Sequence, residues 1–102
     1  MRIRLPRRKP PRPEADPAAG PALTLYRRNG CSLCDQAELV IAPLAARLGF
    51  RIERIDIESD DGLLKRYMFE IPVVAYAGRD LLAWPFSEAR LEDALHSAIA
   101  SG

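Results

Sequence analysis

Cys31 and Cys34 are the only cysteines of the chain, separated by two residues in the stretch RRNGCSLCDQ, residues 27–36. A pair at this spacing supports three chemistries: a reactive dithiol that cycles with a disulfide, half of a metal site, or two thiols that merely pack. Zinc takes about four ligands, and beyond the two cysteines the chain offers only His96. A zinc or iron–sulfur site would therefore have to be shared between the CxxC loops of two copies, as a non-catalytic sensing or binding module. Packing alone gives no reason to place both thiols at the mouth of a helix. The dithiol reading is the one the neighbouring residues favour.

Those neighbours must position the sulfurs. CSLCDQAELVIAPLAARLGF, residues 31–50, reads as a helix of about four turns. Leu33, Ala37, Val40, Ile41, Leu44 and Leu48 recur at helical spacing, Asp35 and Glu38 sit early, and Gly49 offers a stop. Pro43 lies inside and is expected to kink the helix near Leu39. Cys31 falls just before the first turn and Cys34 within it. Three residues rotate a helix by about 300°, so the two sulfurs point in neighbouring directions. A helix N-terminus carries roughly half a positive charge and several unpaired N–H groups, which favour a thiolate. Cysteines so placed have pKa values lowered from about 8.5 to roughly 3.5–7.5. Arg27 and Arg28 are expected to add to this and Asp35 to oppose it. Cys31, at the open mouth, is then the nucleophile, and Cys34, one turn deeper, the thiol that resolves the mixed disulfide. Gly30 leaves the approach to Cys31 uncrowded.

The remaining elements follow in order. ALTLY, residues 22–26, is a short apolar strand stopped by RRNG. RIERIDIE, residues 51–58, alternates charged and apolar residues, with Ile55 and Ile57 on one side, which suits an edge strand. Ser59, Asp60 and Asp61 are N-cap candidates for GLLKRYMFE, a short helix burying Leu63, Leu64 and Tyr67, with Phe69 at the rim. VVAYA and DLLAW flank Gly78–Arg79, a hairpin signal, and Trp84 is expected in the core. Ser87 caps a last helix with the stripe Leu91, Ala94, Leu95, Ala98 and Ile99, which leaves His96 near a helix end. The order β-α-β-α-β-β-α calls for a right-handed parallel crossover followed by an antiparallel pair. One four-stranded mixed sheet flanked by three helices satisfies both: an α/β fold over residues 22–102.

Residues 1–21 differ from the rest. They hold six of the nine prolines and a net charge of +4, which leaves about −3 for residues 22–102. A disordered, partly polyproline II basic tail is expected there, open to electrostatic contact with nucleic acid or an acidic partner, with no specific nucleic acid expected. With 48% apolar and 28% charged residues the chain as a whole is globular in composition. No apolar run reaches the roughly 18 residues of a membrane span, and no apolar segment follows the basic start as in a secretory signal. The expected setting is the cytoplasm, where thiols are kept reduced and a close cysteine pair is catalytic or metal-binding rather than structural. A monomer without a bound cofactor is expected.

A second feature points to the same end of the sheet. A proline between Ile71 and a buried strand removes a ladder donor. A cis Ile71–Pro72 bond, found in about 5–6% of X-Pro bonds, accounts for it. With the third strand beside the first, Pro72 faces Cys31, and the Ile71 backbone can pair with an extended substrate segment.

LTLYRRNGCSLC, then IPVV some 37 residues beyond Cys34, then a hairpin and a final helix, resembles the thioredoxin fold. It is most similar to the small glutaredoxin-like proteins with an LY-x-x-x-G-C-x-L-C opening, over about residues 22–100. The resemblance implies a thiol–disulfide oxidoreductase with Cys31 as nucleophile, Cys34 as resolving cysteine and Pro72 as the cis-proline of the rim. Gly30, Ser32, Leu33, Ile71 and Pro72 would then line the substrate approach, for a disulfide-containing protein or a small thiol compound. Glutathione enters as a reductant by the same resemblance. Typical glutaredoxins, however, carry C-P-Y-C where this chain has Ser32–Leu33. Their Gly-Gly and Ser/Cys-Asp elements for glutathione have no counterpart in LLAWPFSEAR. Thioredoxins have a tryptophan where Gly30 stands and a buried aspartate where Leu25 stands.

Overall fold

Local sequence decides each element of the computed structural model, which describes residues 20–101. The expected basic tail therefore lies almost wholly outside the described residues. β1 (Ala22–Arg27) leads through a four-residue loop into α1 (Ser32–Leu48). β2 (Arg51–Asp56) follows, then a 3-10 turn (Ile57–Ser59) and α2 (Asp61–Tyr67). The chain closes with β3 (Val73–Tyr76), β4 (Arg79–Ala83) and α3 (Glu88–Ser101).

The sheet order is β2-β1-β3-β4, with β1 parallel to β2 and antiparallel to β3, and β3 antiparallel to β4. The mixed sheet and the edge position of β2 agree with the alternation of RIERID. β2 ends two residues earlier than its sequence suggests. The Asp56 carboxylate accepts from the Glu58 N–H at 2.8 Å, which turns the chain into the 3-10 segment. Ile57 still reaches the side of the sheet expected for it and is fully buried beside Tyr67 and Val73.

The hairpin also differs by one residue. Tyr76 pairs with Arg79, so the turn is Ala77–Gly78, with φ of 51° and 80°. Two successive positive φ values are what a right-twisted hairpin demands, and only the second position is a glycine. α1 runs unbroken from Ser32 to Leu48 through Pro43. That proline is exposed and costs the Leu39 carbonyl its usual partner, but the buried side of the helix keeps its packing.

Strand alternation creates two cores. Leu23, Leu25 and Val74 point to one side of the sheet, where Ala37, Ile41 and Leu44 of α1 and Leu91 and Leu95 of α3 cover them. Trp84 packs against this core and meets Phe86 edge-on at 5.1 Å. Tyr26 and Val73 point to the other side, against Tyr67 of α2. The Tyr26 and Tyr67 rings stack at 4.3 Å, and the Tyr67 hydroxyl donates to Asp80 Oδ1 at 2.9 Å. Arg66 holds the other oxygen of Asp80 at 3.0 Å and covers the Tyr67 ring. Asp60 caps α2 by accepting from the Leu63 N–H. This anchorage fixes where residues 68–71 leave α2 on their way into β3.

Burial of the Tyr67 phenol, followed by its hydrogen bond to Asp80, raises its pKa well above the ordinary tyrosine value of 10.0. A proton bound more tightly in the folded state stabilises the fold fully below about pH 10, and that contribution is lost as pH rises through the folded value. We expect the melting temperature to fall above about pH 10, and to fall less steeply in Tyr67→Phe. Thermal melts of both proteins between pH 8 and 11 test this, and equal slopes would contradict it.

Candidate redox site

Both cysteines sit at the start of α1, and their sulfurs are bonded as a disulfide with Cα atoms 5.2 Å apart. Cys31 is the N-cap residue: its backbone is extended, its carbonyl accepts from the Asp35 N–H at 3.1 Å, and its sulfur accepts from the Cys34 N–H at 3.1 Å. A sulfur thus takes the place that a serine or aspartate oxygen usually fills at a helix start. The two cysteines differ in access. Cys31 is half-buried, while Cys34 is 0% exposed.

Gly30 has a φ of 73°, and a Cβ built on it would meet nothing within 4 Å. Its requirement is therefore conformational: the chain must reverse from β1 into α1, and the space before Cys31 stays open. Ser32 and Leu33, between the cysteines, are exposed. Pro72 is buried and the Ile71–Pro72 peptide is cis; a second cis peptide joins Trp84 and Pro85. Tyr26 pairs with Val73, so the loop after β1 and the segment before β3 share one end of the sheet. The Pro72 carbonyl accepts from the Trp84 N–H at 2.9 Å and ties β4 to that end.

Ile71 offers less backbone than the sequence suggests. Its N–H donates to the Tyr67 carbonyl at 3.1 Å, so the amide is occupied within the protein. What it can present to a partner is its carbonyl, since Pro72 has no N–H.

The charges around the pair also differ from expectation. Arg27 does not lean on the sulfurs. It donates to Asp35 Oδ1 at 2.8 Å and to Glu38 Oε1 at 2.7 Å, and Arg54 holds the other Glu38 oxygen at 2.9 Å. Arg27 and Arg54 lie on the α1 side of the sheet, so this network ties β1, β2 and α1 together directly behind the CxxC loop. The hydrogen bond to Asp35 and the contacts with Glu38 raise the Arg27 pKa against the opposing effect of partial burial. Arg28 pairs with Glu58 at 2.8 Å. With both arginines matched to carboxylates, the α1 N-terminus remains a source of positive potential next to the sulfurs.

Sequence reasoning missed this network. Arg27 and Asp35 are eight positions apart across a loop, and Arg54 reaches Glu38 only because β2 lies parallel to β1 in the register that opposes Leu25 to Arg54. The usable signal was Glu38, four residues beyond Cys34 and therefore on a neighbouring face. His96 is an exposed α3 residue 3.8 Å from Glu92. Among the described residues no group of three or more His, Cys, Asp or Glu side chains is placed to hold a metal ion. Among them, too, no helix is long and apolar enough to cross a membrane.

Comparison with known proteins agrees with this architecture. The Northeast Structural Genomics target protein XcR50 from X. campestris is 38% identical, over 74% of this chain and 96% of that one, and its X-ray structure superposes with a TM-score of 0.63. Protein Ne2328 from Nitrosomonas europaea superposes at 0.64 with 22% identity, over 76% of this chain and 89% of that one. Thioredoxin 1 from Thermosipho africanus TCF52B does so at 0.55 with 17% identity, over 78% of this chain and 94% of that one. The last two show the shared thioredoxin-like fold. The family described as Glutaredoxin-like domain (DUF836) matches residues 22–96, from the first strand into the last helix, and the chain belongs to that family.

Proposed function

We propose that the protein is a thiol–disulfide oxidoreductase that works by dithiol–disulfide exchange at Cys31 and Cys34. The observation that carries this reading is the unequal access of two sulfurs within bonding reach: Cys31 half-buried at the helix cap, Cys34 sealed behind it. In the reduced protein the Cys31 thiolate attacks one sulfur of a substrate disulfide. A Cys31–substrate disulfide forms, and the other substrate sulfur leaves as a thiolate that takes up a proton. Cys34 then loses its proton and attacks the Cys31 sulfur, forming the internal disulfide and releasing the second substrate thiol, which accepts that proton. Two electrons pass from protein to substrate, and an external thiol reductant restores the pair. Gly30, Ser32, Leu33, Ile71 and Pro72 border the approach to Cys31. We place the protein in the cytoplasm as a monomer with no bound cofactor.

Alkylation tests the electrostatic part. In the reduced protein, iodoacetamide should modify Cys31 alone, with a rate whose midpoint in pH lies below the roughly 8.5 of an ordinary thiol. Equal modification of both cysteines, or a midpoint at or above that value, would overturn the proposal.

A further inference from the structure

We infer that the disulfide this site accepts belongs to a polypeptide with apolar side chains beside its cysteines, rather than to a glutathione-type compound. The inference rests on the exchange reading above and specifies its substrate class. Leu33, Met68 and Phe69 are large apolar side chains left open to solvent at 48%, 39% and 92%. Leu33 lies between the two cysteines. Met68 and Phe69 lie in the turn between α2 and Pro72, whose end of the sheet is shared with the CxxC loop. That turn is not loose: the Tyr67 carbonyl accepts from both the Glu70 N–H at 2.8 Å and the Ile71 N–H at 3.1 Å. Phe69 is therefore presented outward by a hydrogen-bonded backbone that is itself pinned through the Tyr67–Asp80 bond. Exposed apolar side chains on segments that share one end of the sheet with a reactive group mark a contact surface.

Charge and shape disfavour the small substrate. Glutathione carries carboxylates that need cations, yet Arg27 and Arg28, the arginines leading into the loop, are each bound to carboxylates of the protein. Small ligands also sit in concavities that cover most of their surface. Among the described residues, three grooves of about 370, 240 and 340 Å³ are lined by residues other than the two cysteines. An extended peptide needs no such pocket. It can lay apolar side chains on Leu33 and Phe69 and direct an N–H at the Ile71 carbonyl, while its disulfide meets Cys31.

The test uses the reduced full chain and three oxidants: a synthetic peptide cyclised through a disulfide with leucine and phenylalanine beside the cysteines, the same peptide with aspartate at those two positions, and oxidised glutathione. Loss of protein thiols is followed by quenching with an alkylating agent and weighing the products. The apolar peptide should react about tenfold faster than either alternative, and Phe69→Ser should remove most of that preference. Leu39→Ser, at a site 77% exposed on the outer side of α1 and about 12 Å along the helix from Cys31, should leave the preference intact. Equal rates for the three oxidants, faster reaction of oxidised glutathione, or a preference untouched by Phe69→Ser would overturn the inference while leaving exchange standing. No reaction with any of the three would overturn the exchange reading as well.

Discussion

Cys31→Ser should abolish reduction of disulfide substrates, by roughly three orders of magnitude or more, because no second sulfur can take its place. Cys34 has no exposed surface, and a substrate disulfide cannot approach it in line. Cys34→Ser should behave differently. Its Cys31 still attacks, but the mixed disulfide then has no resolving thiol and accumulates. Mass spectrometry of each variant after mixing with a peptide disulfide separates the cases: no adduct for Cys31→Ser, one substrate-sized adduct for Cys34→Ser. The reverse assignment, with adducts only when Cys31 is replaced, would mean that the roles are exchanged and that the helix cap does not select the nucleophile.

Leu25→Ala should cost about 2–5 kcal/mol of stability. Leu25 lies on β1, an inner strand flanked by β2 and β3, and its side chain is buried among residues of α1 and α3. Shrinking it leaves a hole that the helices cannot close without dragging the CxxC loop with them. For a domain of this size a loss of about 3 kcal/mol lowers the melting temperature by roughly 12–24 °C. Urea unfolding of the oxidised protein measures the effect, and a loss below about 1 kcal/mol would refute the packing argument. Arg47→Ala is the useful contrast. Arg47 holds Glu88 at 2.9 Å and Glu92 at 3.0 Å, but all three groups face water, and the melting temperature should scarcely change.

Much of this fold is legible in the sequence because its signals are local. The apolar spacing from Leu33 to Leu48, the Ser87 cap and the LY…GC opening each specify an element within a few residues of themselves. The Ser87 hydroxyl accepts from the Arg90 N–H at 3.1 Å as its position suggests. What escaped depends on tertiary placement. The hairpin turn falls at Ala77–Gly78 because strand pairing, not the glycine alone, chooses the register. Ile99 belongs to the apolar stripe of α3 yet is 46% exposed, while Leu91, Leu95 and Ala98 of the same stripe are buried. At the candidate site, residue types and spacing were enough to place Cys31 and Cys34 together at the start of α1. The Arg27–Glu38–Arg54 cluster was not readable, because three segments distant in the chain have to meet before those charges find one another.

The inaccessibility of Cys34 also sets the order of traffic in the proposed cycle. With a single sulfur open to the outside, the molecule being reduced and the molecule supplying electrons must use the same doorway, one after the other. They never share the protein as a ternary complex. Each competes with the other for Cys31, so an excess of either slows the turnover it is meant to feed.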